Sequence, residues 1–306
     1  MSENLRHSEI PPIESARDTE PQHPTEAEVS EAVESLHIGL DLEKHPHLLE
    51  RFTEISTHFD DNVDIAKIAG ALFPDFKEAL HLTDETPERL QRAGLLTDIG
   101  KSGPAGEEGP FHDAVQKLFI VPTKPFNAFK PDGSMKTIAD FLEETGMEGA
   151  EGIVAALAEK GIFAKDEKML DFWRRHAEWT LDILKQEASN DIDPVVITAA
   201  ASHHLLDGKN PAGLDLNGLA ENSPDIEEFA YAEILQVIDK YQAFRGRGGM
   251  SHAEAVSRTR AKVESAPGYP PVLRSLFTKA LAVIEAHQAE MDALLAHDEA
   301  APSKAA

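Results

Sequence analysis

The 306-residue sequence contains no cysteine. This excludes disulfides and thiolate metal sites, and it leaves histidine and carboxylate side chains as the strong metal ligands. No apolar run approaches the ~20 residues that a membrane-spanning helix needs. The first residues, MSENLRHSEIPP, lack the apolar core of a signal peptide. We therefore expect a cytoplasmic protein.

Basic residues are also scarce. Lysine and arginine number 29 against 55 aspartates and glutamates, which gives a formal net charge of −26. Such a charge argues against a nucleic-acid backbone or an anionic membrane as the main partner. A nucleotide substrate would need a metal ion and a few local cations to overcome the repulsion.

The sequence has no stretch of alternating apolar and polar residues, bounded by turns, that is long enough for a sheet. Its apolar residues recur with helical spacing, so we predict an all-α helical bundle. We expect a disordered acidic tail over 1–37, one helical domain over 38–298 and a disordered tail over 299–306. A segment over about 105–160 opens with Gly/Pro-rich loops that precede two predicted helices, 135–146 and 148–160.

Several potential metal ligands lie in apolar helical patterns. Asp98 ends an apolar run in the sequence LLTDIGKSG, where a carboxylate is costly unless a cation lies opposite it. His176, the pair His203-His204, and Asp239 lie in three further apolar helical segments. A carboxylate, three histidines and a second carboxylate on separate helices are the components of a metal site inside a helical bundle.

Each of these residues also has an ordinary structural interpretation. Asp98 and Lys101 could simply end a helix, with the lysine charge complementing the helix dipole. A lone histidine such as His176 is commonly a half-buried helix residue, and Asp239 could pair with Lys240. The order and context of the segments favour the functional interpretation.

These segments resemble a known family. LLTDIGKSG is similar to the LLHDIGKIG segment of HD-domain phosphohydrolases. Three later segments resemble the HD-GYP branch. GIFAKDEKMLDFWRRHAEWTLDIL (161–184) is similar to its helix with a metal-binding histidine, and SHHLLDGKNPAGL (202–214) resembles its HHE..DG.GYP.GL motif. ILQVIDKYQAF (234–244) resembles the segment with its last metal-binding aspartate. The resemblance covers roughly residues 60–250. It implies an HD-type helical bundle in which the segment over about 105–160 is a helical insertion.

The resemblance implies a set of roles. It implies one or two divalent cations, Fe or Mn, held by Asp98, His176, His203, His204 and Asp239. A further ligand is expected on an upstream helix near 58–62, where the candidates are His58, Asp61 and Asn62. Asp98 and Lys101 are the implied catalytic residues, and the implied substrate-binding residues are Lys101, Asp207, Arg245 and Arg247.

The chain departs from the family pattern at the first residue of the signature, where Thr97 replaces histidine. A hydroxyl is a poor ligand for a transition metal, so one cation would lose a ligand. Leu205 replaces the glutamate after the histidine pair, and Lys209-Asn210 replaces the Gly-Tyr that precedes the proline. The dipeptide His112-Asp113 also spells HD, but it lacks the LL and IGK context.

Three functions follow as hypotheses. The first is a metal-dependent phosphodiesterase resembling HD-GYP enzymes, which hydrolyse cyclic di-GMP. The second is a catalytically degenerate module that binds a nucleotide or a protein partner. The third is an HD-type hydrolase of another nucleotide or phosphoester. None of the three requires direct nucleic-acid binding or a membrane.

Overall fold

A computed structural model describes residues 23–120, 129–130, 132, 134–162, 167–188, 191–216, 226–266 and 268–295. Over these residues the protein is all-α, as predicted. Pairing of extended backbone is limited there to two isolated antiparallel bridges, Phe129 with Met135 and Thr137 with Lys168. Within the same residues, no helix combines the length and the apolar character needed to cross a membrane.

Fifteen α-helices follow one another through the described residues. They are α1 Glu26–Ser35, α2 Pro46–Glu54, α3 Thr57–Ala71, α4 Phe73–Leu80, α5 Glu88–Leu96, α6 Pro110–Ile120, α7 Ile138–Thr145, α8 Ala150–Glu159, α9 Met169–Trp173, α10 His176–Glu187, α11 Pro194–Ala201, α12 Ile226–Gln242, α13 His252–Glu264, α14 Pro271–Ala286 and α15 Gln288–Leu295. Three shorter turns of helix lie at Ile99–Ser102, Leu205–Asp207 and Ala243–Arg247.

Helix α12 runs through the centre of the main core. Almost every residue from Phe229 to Gln242 is buried, as expected of a helix that is enclosed by others on all sides. Helices α3, α11, α13 and α14 pack around it, and α5 packs along α3. The ends of α5, α11 and α12 carry the predicted site residues, so the packing of this core determines how those side chains meet.

The N-terminal region corrects one prediction. Residues 26–35, expected in the disordered tail over 1–37, form α1, which begins with a capping box between Thr25 and Glu28. Val29 and Val33, one helical turn apart, are buried in the main core. The acidic composition hid this apolar pair. The rest of that tail, 1–22, and the tail predicted over 299–306 lie outside the described residues.

The segment predicted as an insertion contributes to a second apolar cluster. The two helices predicted at 135–146 and 148–160 correspond to α7 and α8, and α6 is a third helix that the sequence did not predict. The cluster consists of side chains from α6, α7 and α8 together with residues of α9 and α10: Phe111, Ala114, Val115, Leu118, Phe119, Ile138, Phe141, Leu142, Ile153, Ala156, Leu157, Met169, Phe172 and Trp179. That this segment is an insertion stays a prediction.

Gly100 brings the turn after α5 into direct contact with the backbone of α10. Its N–H donates to the hydroxyl of Thr180 at 3.1 Å, and that hydroxyl donates to the carbonyl oxygen of Thr97 at 2.9 Å. A Cβ at Gly100 would overlap the carbonyl oxygen of His176 and lie 2.6 Å from the amide nitrogen of Thr180. Glycine is therefore required for Asp98 and His176 to approach each other.

We expect Gly100→Ala to lower the free energy of unfolding by roughly 3 kcal/mol, because the extra carbon meets backbone atoms that cannot move aside. Chemical denaturation measures the change. Gly152→Ala in α8 is the matched control, since a Cβ there meets nothing within 4 Å. The control should be neutral or slightly stabilising, and equal stability of the two variants would contradict the argument.

Candidate metal centre

Three histidines converge at one point of the main bundle. His176 is the first residue of α10, and His203 and His204 follow the end of α11 at Ala201. One ring nitrogen from each lies within 4.8 Å of the other two. The side chains of His176 and His203 are buried, and that of His204 is 14% exposed. The described residues thus contain a buried group that could hold a metal ion.

The Nδ1 atom of each ring faces an acceptor. Nδ1 of His176 lies 2.5 Å from the carbonyl oxygen of Trp173, and Nδ1 of His203 lies 2.6 Å from that of Ala200. Nδ1 of His204 lies 2.9 Å from a carboxylate oxygen of Asp207. Because these oxygens only accept, each Nδ1 carries the proton and each Nε2 keeps its lone pair. Metal-binding histidines are oriented in this way.

Two of these lone pairs face each other. Nε2 of His176 and Nε2 of His203 are 3.0 Å apart, an arrangement that is repulsive unless a proton or a cation lies between them. Burial, followed by the neighbouring imidazole, lowers the pKa of His203 to about 3 and that of His204 to about 3. At neutral pH both rings are therefore uncharged, which is the form that binds metals.

Asp98 adds a carboxylate to the group. Its Oδ1 lies 3.1 Å from Nε2 of His176 and 3.8 Å from Nε2 of His203. Burial alone would raise the pKa of Asp98, but the ammonium of Lys101 holds it well below the usual range. Ligands that share a cation at about 2.1 Å lie about 3 to 3.5 Å apart. Imidazole and carboxylate groups are ligands that divalent transition metals take, and the distances from His176 to His203 and to Asp98 match this range.

Lys101 and His58 form the next layer. Nζ of Lys101 lies 2.6 Å from Oδ2 of Asp98 and 3.1 Å from Nδ1 of His58. Nε2 of His58 lies 3.1 Å from the carbonyl oxygen of Phe119. That oxygen only accepts, so His58 donates through Nε2 and accepts from the lysine through Nδ1. His58 thus helps to hold Lys101 in place, and its role as a metal ligand stays a prediction.

The other upstream candidates connect helices. Asp61 accepts a hydrogen bond from Gln242 at 3.0 Å, which links α3 to α12. Asn62 donates to the carbonyl oxygen of Leu95 at 2.9 Å, and the Thr97 hydroxyl donates to the carbonyl oxygen of Gly94 at 2.9 Å. None of Asp61, Asn62 and Thr97 is among the described residues that line the cavity at the histidines.

Of the remaining predicted residues, Asp239 and Asp207 line this cavity, together with His176 and His204. Arg245 does not: its guanidinium lies 2.6 Å from Asp292 of α15 and donates to the carbonyl oxygen of Met250. That Arg245 binds substrate stays a prediction. The side chain of Arg247 lies outside the described residues.

Two cations that the sequence did not single out line the cavity as well. Arg174 and Lys240 bind opposite oxygens of Asp207, at 3.0 Å and 2.8 Å. Burial would raise the pKa of Asp207, but Lys240 and His204 hold it far below the usual range. Each cation adjoins a predicted ligand or its helix: Arg174 precedes His176 by two residues, and Lys240 follows Asp239. The sequence could have indicated the two cations through this adjacency to predicted metal ligands.

No protein-family model, curated protein or solved structure matches this chain. By its geometry, the chain is an all-α protein with a buried three-histidine centre next to an ionised aspartate.

A buried hydrogen-bond chain supports the turn that carries His204 and Asp207. The backbone N–H of Leu206 donates to Gln236 at 2.6 Å, and Gln236 donates to the carboxyl of Glu233 at 3.0 Å. The hydroxyl of Tyr269 also contacts that carboxyl. Burial raises the pKa of Glu233 to about 8, so Glu233 is neutral at pH 7.

This raised pKa predicts a pH-dependent stability. Glu233 ionises near its ordinary value of 4.5 once the chain unfolds, but near 8 in the folded protein. Its contribution is complete below the first value and is lost as the pH rises through the second. We expect the Glu233→Gln variant to gain on the wild type by about 1.4 kcal/mol per pH unit between these values. Urea unfolding measures this, and a constant difference would contradict it.

Metal binding should stabilise the folded protein. We expect excess Mn²⁺ to raise the melting temperature, since a hundredfold excess over the dissociation constant is worth about 2.7 kcal/mol. His203→Ala should abolish this shift because it removes a buried ligand. His112→Ala, which changes the HD dipeptide in α6, is the control and should keep the shift. An equal shift in both variants would place the metal elsewhere.

Proposed function

We propose that this chain is a metal-dependent phosphohydrolase of the HD type. The observation that carries the proposal is the pair of imidazole Nε2 atoms 3.0 Å apart, with an ionised carboxylate oxygen 3.1 Å from one of them. The resemblance of LLTDIGKSG and SHHLLDGKNPAGL to HD-GYP segments adds the reaction class, hydrolysis of a phosphoester. Cyclic di-GMP is the substrate that this resemblance implies.

The contacts of Lys101 favour one cation, Fe or Mn, over a pair. Its ammonium lies between Asp98 and His58, which is where a second cation would need ligands. The hydroxyl of Thr97 is directed at Gly94 and Asn62. A second divalent cation would therefore meet a lysine charge and find no ligand at the family's first signature position.

A divalent cation at this site supplies Lewis acidity and lowers the pKa of a bound water towards neutrality. The chain's own residues prepare the rest. Lys101, held on both sides by Asp98 and His58, provides a fixed positive charge where negative charge increases on the phosphoryl group. Asp207 fixes the tautomer of His204 and also holds Arg174 and Lys240 at the cavity wall.

The positively charged side chains at the cavity also offset the repulsion that the chain's overall negative charge would exert on an anionic substrate. In a protein of net charge −26, Lys101, Arg174, Lys240 and Lys262 all line one cavity. Two of them stay oriented because both bind Asp207. This local excess of positive charge supports an anionic substrate, and guanidinium and ammonium groups are the usual partners of phosphate.

A second candidate is a module that binds a phosphorylated ligand or a protein without hydrolysing anything. Thr97 favours it, since this residue lies outside the cavity lining and replaces a family ligand. An HD-type hydrolase of another nucleotide or phosphoester is the third. Metal content and turnover, measured on the same preparation, together separate the module from the enzymes.

We expect protein purified without chelators to hold one Fe or Mn per chain, and the His203→Ala/His204→Ala variant to hold none. Elemental analysis measures both. The metal-loaded wild type should hydrolyse bis(p-nitrophenyl) phosphate or cyclic di-GMP. Lys101→Met should keep its metal and lose roughly a hundredfold or more in kcat, because a group that stabilises the transition-state charge is removed.

The outcomes separate the candidates. A metal-free wild type, also after anaerobic reconstitution, would overturn the enzyme proposal. One metal per chain without turnover on any phosphoester would favour the binding module. Two metals per chain would contradict only the inference, drawn from the contacts of Lys101, that the site holds a single cation.

A further inference from the structure

The cavity beside the three histidines has room for more than a phosphoryl group. Its volume is about 260 Å³, and an apolar cavity of about 150 Å³ is enough to hold benzene. A phosphate head and one ring therefore fit. What the cavity accepts depends on the side chains that face it.

The lining combines charged groups and histidines with an apolar wall. Among the described lining residues there is no serine, threonine, asparagine, glutamine or tyrosine. The polar members are histidines, carboxylates and cations. The apolar members are Phe119, Phe129, Leu170, Trp173, Ala243 and Phe244.

The apolar wall is held rigidly at its centre. The indole N–H of Trp173 donates to the carbonyl oxygen of Leu118 at 3.0 Å. Phe141 meets the indole edge-on, with ring centroids 5.4 Å apart. Phe119 is stacked on Phe172 at 5.6 Å. These contacts use the only hydrogen-bond donor of the indole, so the wall presents apolar surface to the cavity.

Phe129 extends this wall towards solvent. It is 38% exposed, more than any other large apolar side chain of the described residues. Its position in the cavity lining gives this exposure a use, because a ligand that covers the ring removes it from water. A single exposed phenylalanine would otherwise need no explanation.

We propose that the cavity selects a phosphoester whose body is an apolar ring, with Phe129 and Trp173 as specificity-determining residues. This inference rests on the proposed function for the phosphoryl end of the ligand. The anionic head faces Lys101, Arg174 and Lys240, and the ring lies against the aromatic wall.

An apolar ring on the phosphoester can lie against this aromatic wall without needing hydrogen bonds from it.

Binding of phosphonates tests the inference without turnover, since their carbon–phosphorus bond is not hydrolysed. Benzylphosphonate and methylphosphonate present the same head with and without a ring. We expect the Mn²⁺-loaded full chain to bind benzylphosphonate roughly tenfold to a hundredfold more tightly by calorimetry, as burial of a phenyl group implies.

Two variants assign that preference to the wall. Phe129→Ser should weaken benzylphosphonate binding by roughly threefold to tenfold and leave methylphosphonate unchanged, since only part of the ring's contact is lost. Trp173 and Trp179 are the two tryptophans of the chain, and Trp179 is absent from the described lining. In a Trp179→Phe variant, benzylphosphonate should therefore change the emission of Trp173, and methylphosphonate should not.

Each result bears on one proposal or the other. Equal affinity for the two phosphonates, or an equal loss of both in Phe129→Ser, would overturn the ring preference even if phosphoesters are hydrolysed. Selective binding of benzylphosphonate with no turnover of any phosphoester would support the ring preference and overturn the proposed enzyme. Absence of binding by either phosphonate to metal-loaded protein would overturn the inference.

Discussion

The site is organised around two imidazole nitrogens that face each other at 3.0 Å with both lone pairs inward. Nothing local favours that contact, so the surrounding structure must impose it. Backbone carbonyl groups at Trp173 and Ala200 fix the two rings, and Gly100 allows the Asp98 turn to reach the start of α10. Packing thus holds the repulsive pair of nitrogens in place. A cation bound to both nitrogens would replace the repulsion with coordination.

Charge is the second constraint, because an acidic chain must bring cations to this point and keep them oriented. Asp98 and Asp207 do so by opposite routes. Asp98 pairs with one lysine and remains next to the histidines, whereas Asp207 binds an arginine, a lysine and His204 together. Both carboxylates stay ionised despite burial, since the neighbouring cations outweigh the cost of desolvation.

The sequence predicted the all-α fold, and its short patterns singled out Asp98, His176, His203 and His204, which the structure brings together. Apolar periodicity and the glycines that follow indicate helix ends at Asp98 and at the histidine pair, whereas His176 was expected within a helical segment and instead begins α10. Arg174 and Lys240 were missed because their role comes from a shared contact with Asp207, across separate helices. Helix α1 was missed because its apolar pair is embedded in an acidic composition. The structural work of Asn62 and Thr97 likewise depends on contacts between α3 and α5, which no local pattern contains.

The two apolar clusters contribute different parts of the cavity, the metal ligands and the aromatic wall. The histidines and Asp98 belong to helix ends of the main bundle, whereas Phe119 belongs to the second cluster and Trp173 packs against it. The two meet at His58, whose ring binds both Lys101 and the carbonyl oxygen of Phe119, and at His176, whose ring binds the carbonyl oxygen of Trp173. The position of the lysine charge is thus coupled to the position of the aromatic wall, which ties recognition of the ligand's body to the group that faces its phosphate.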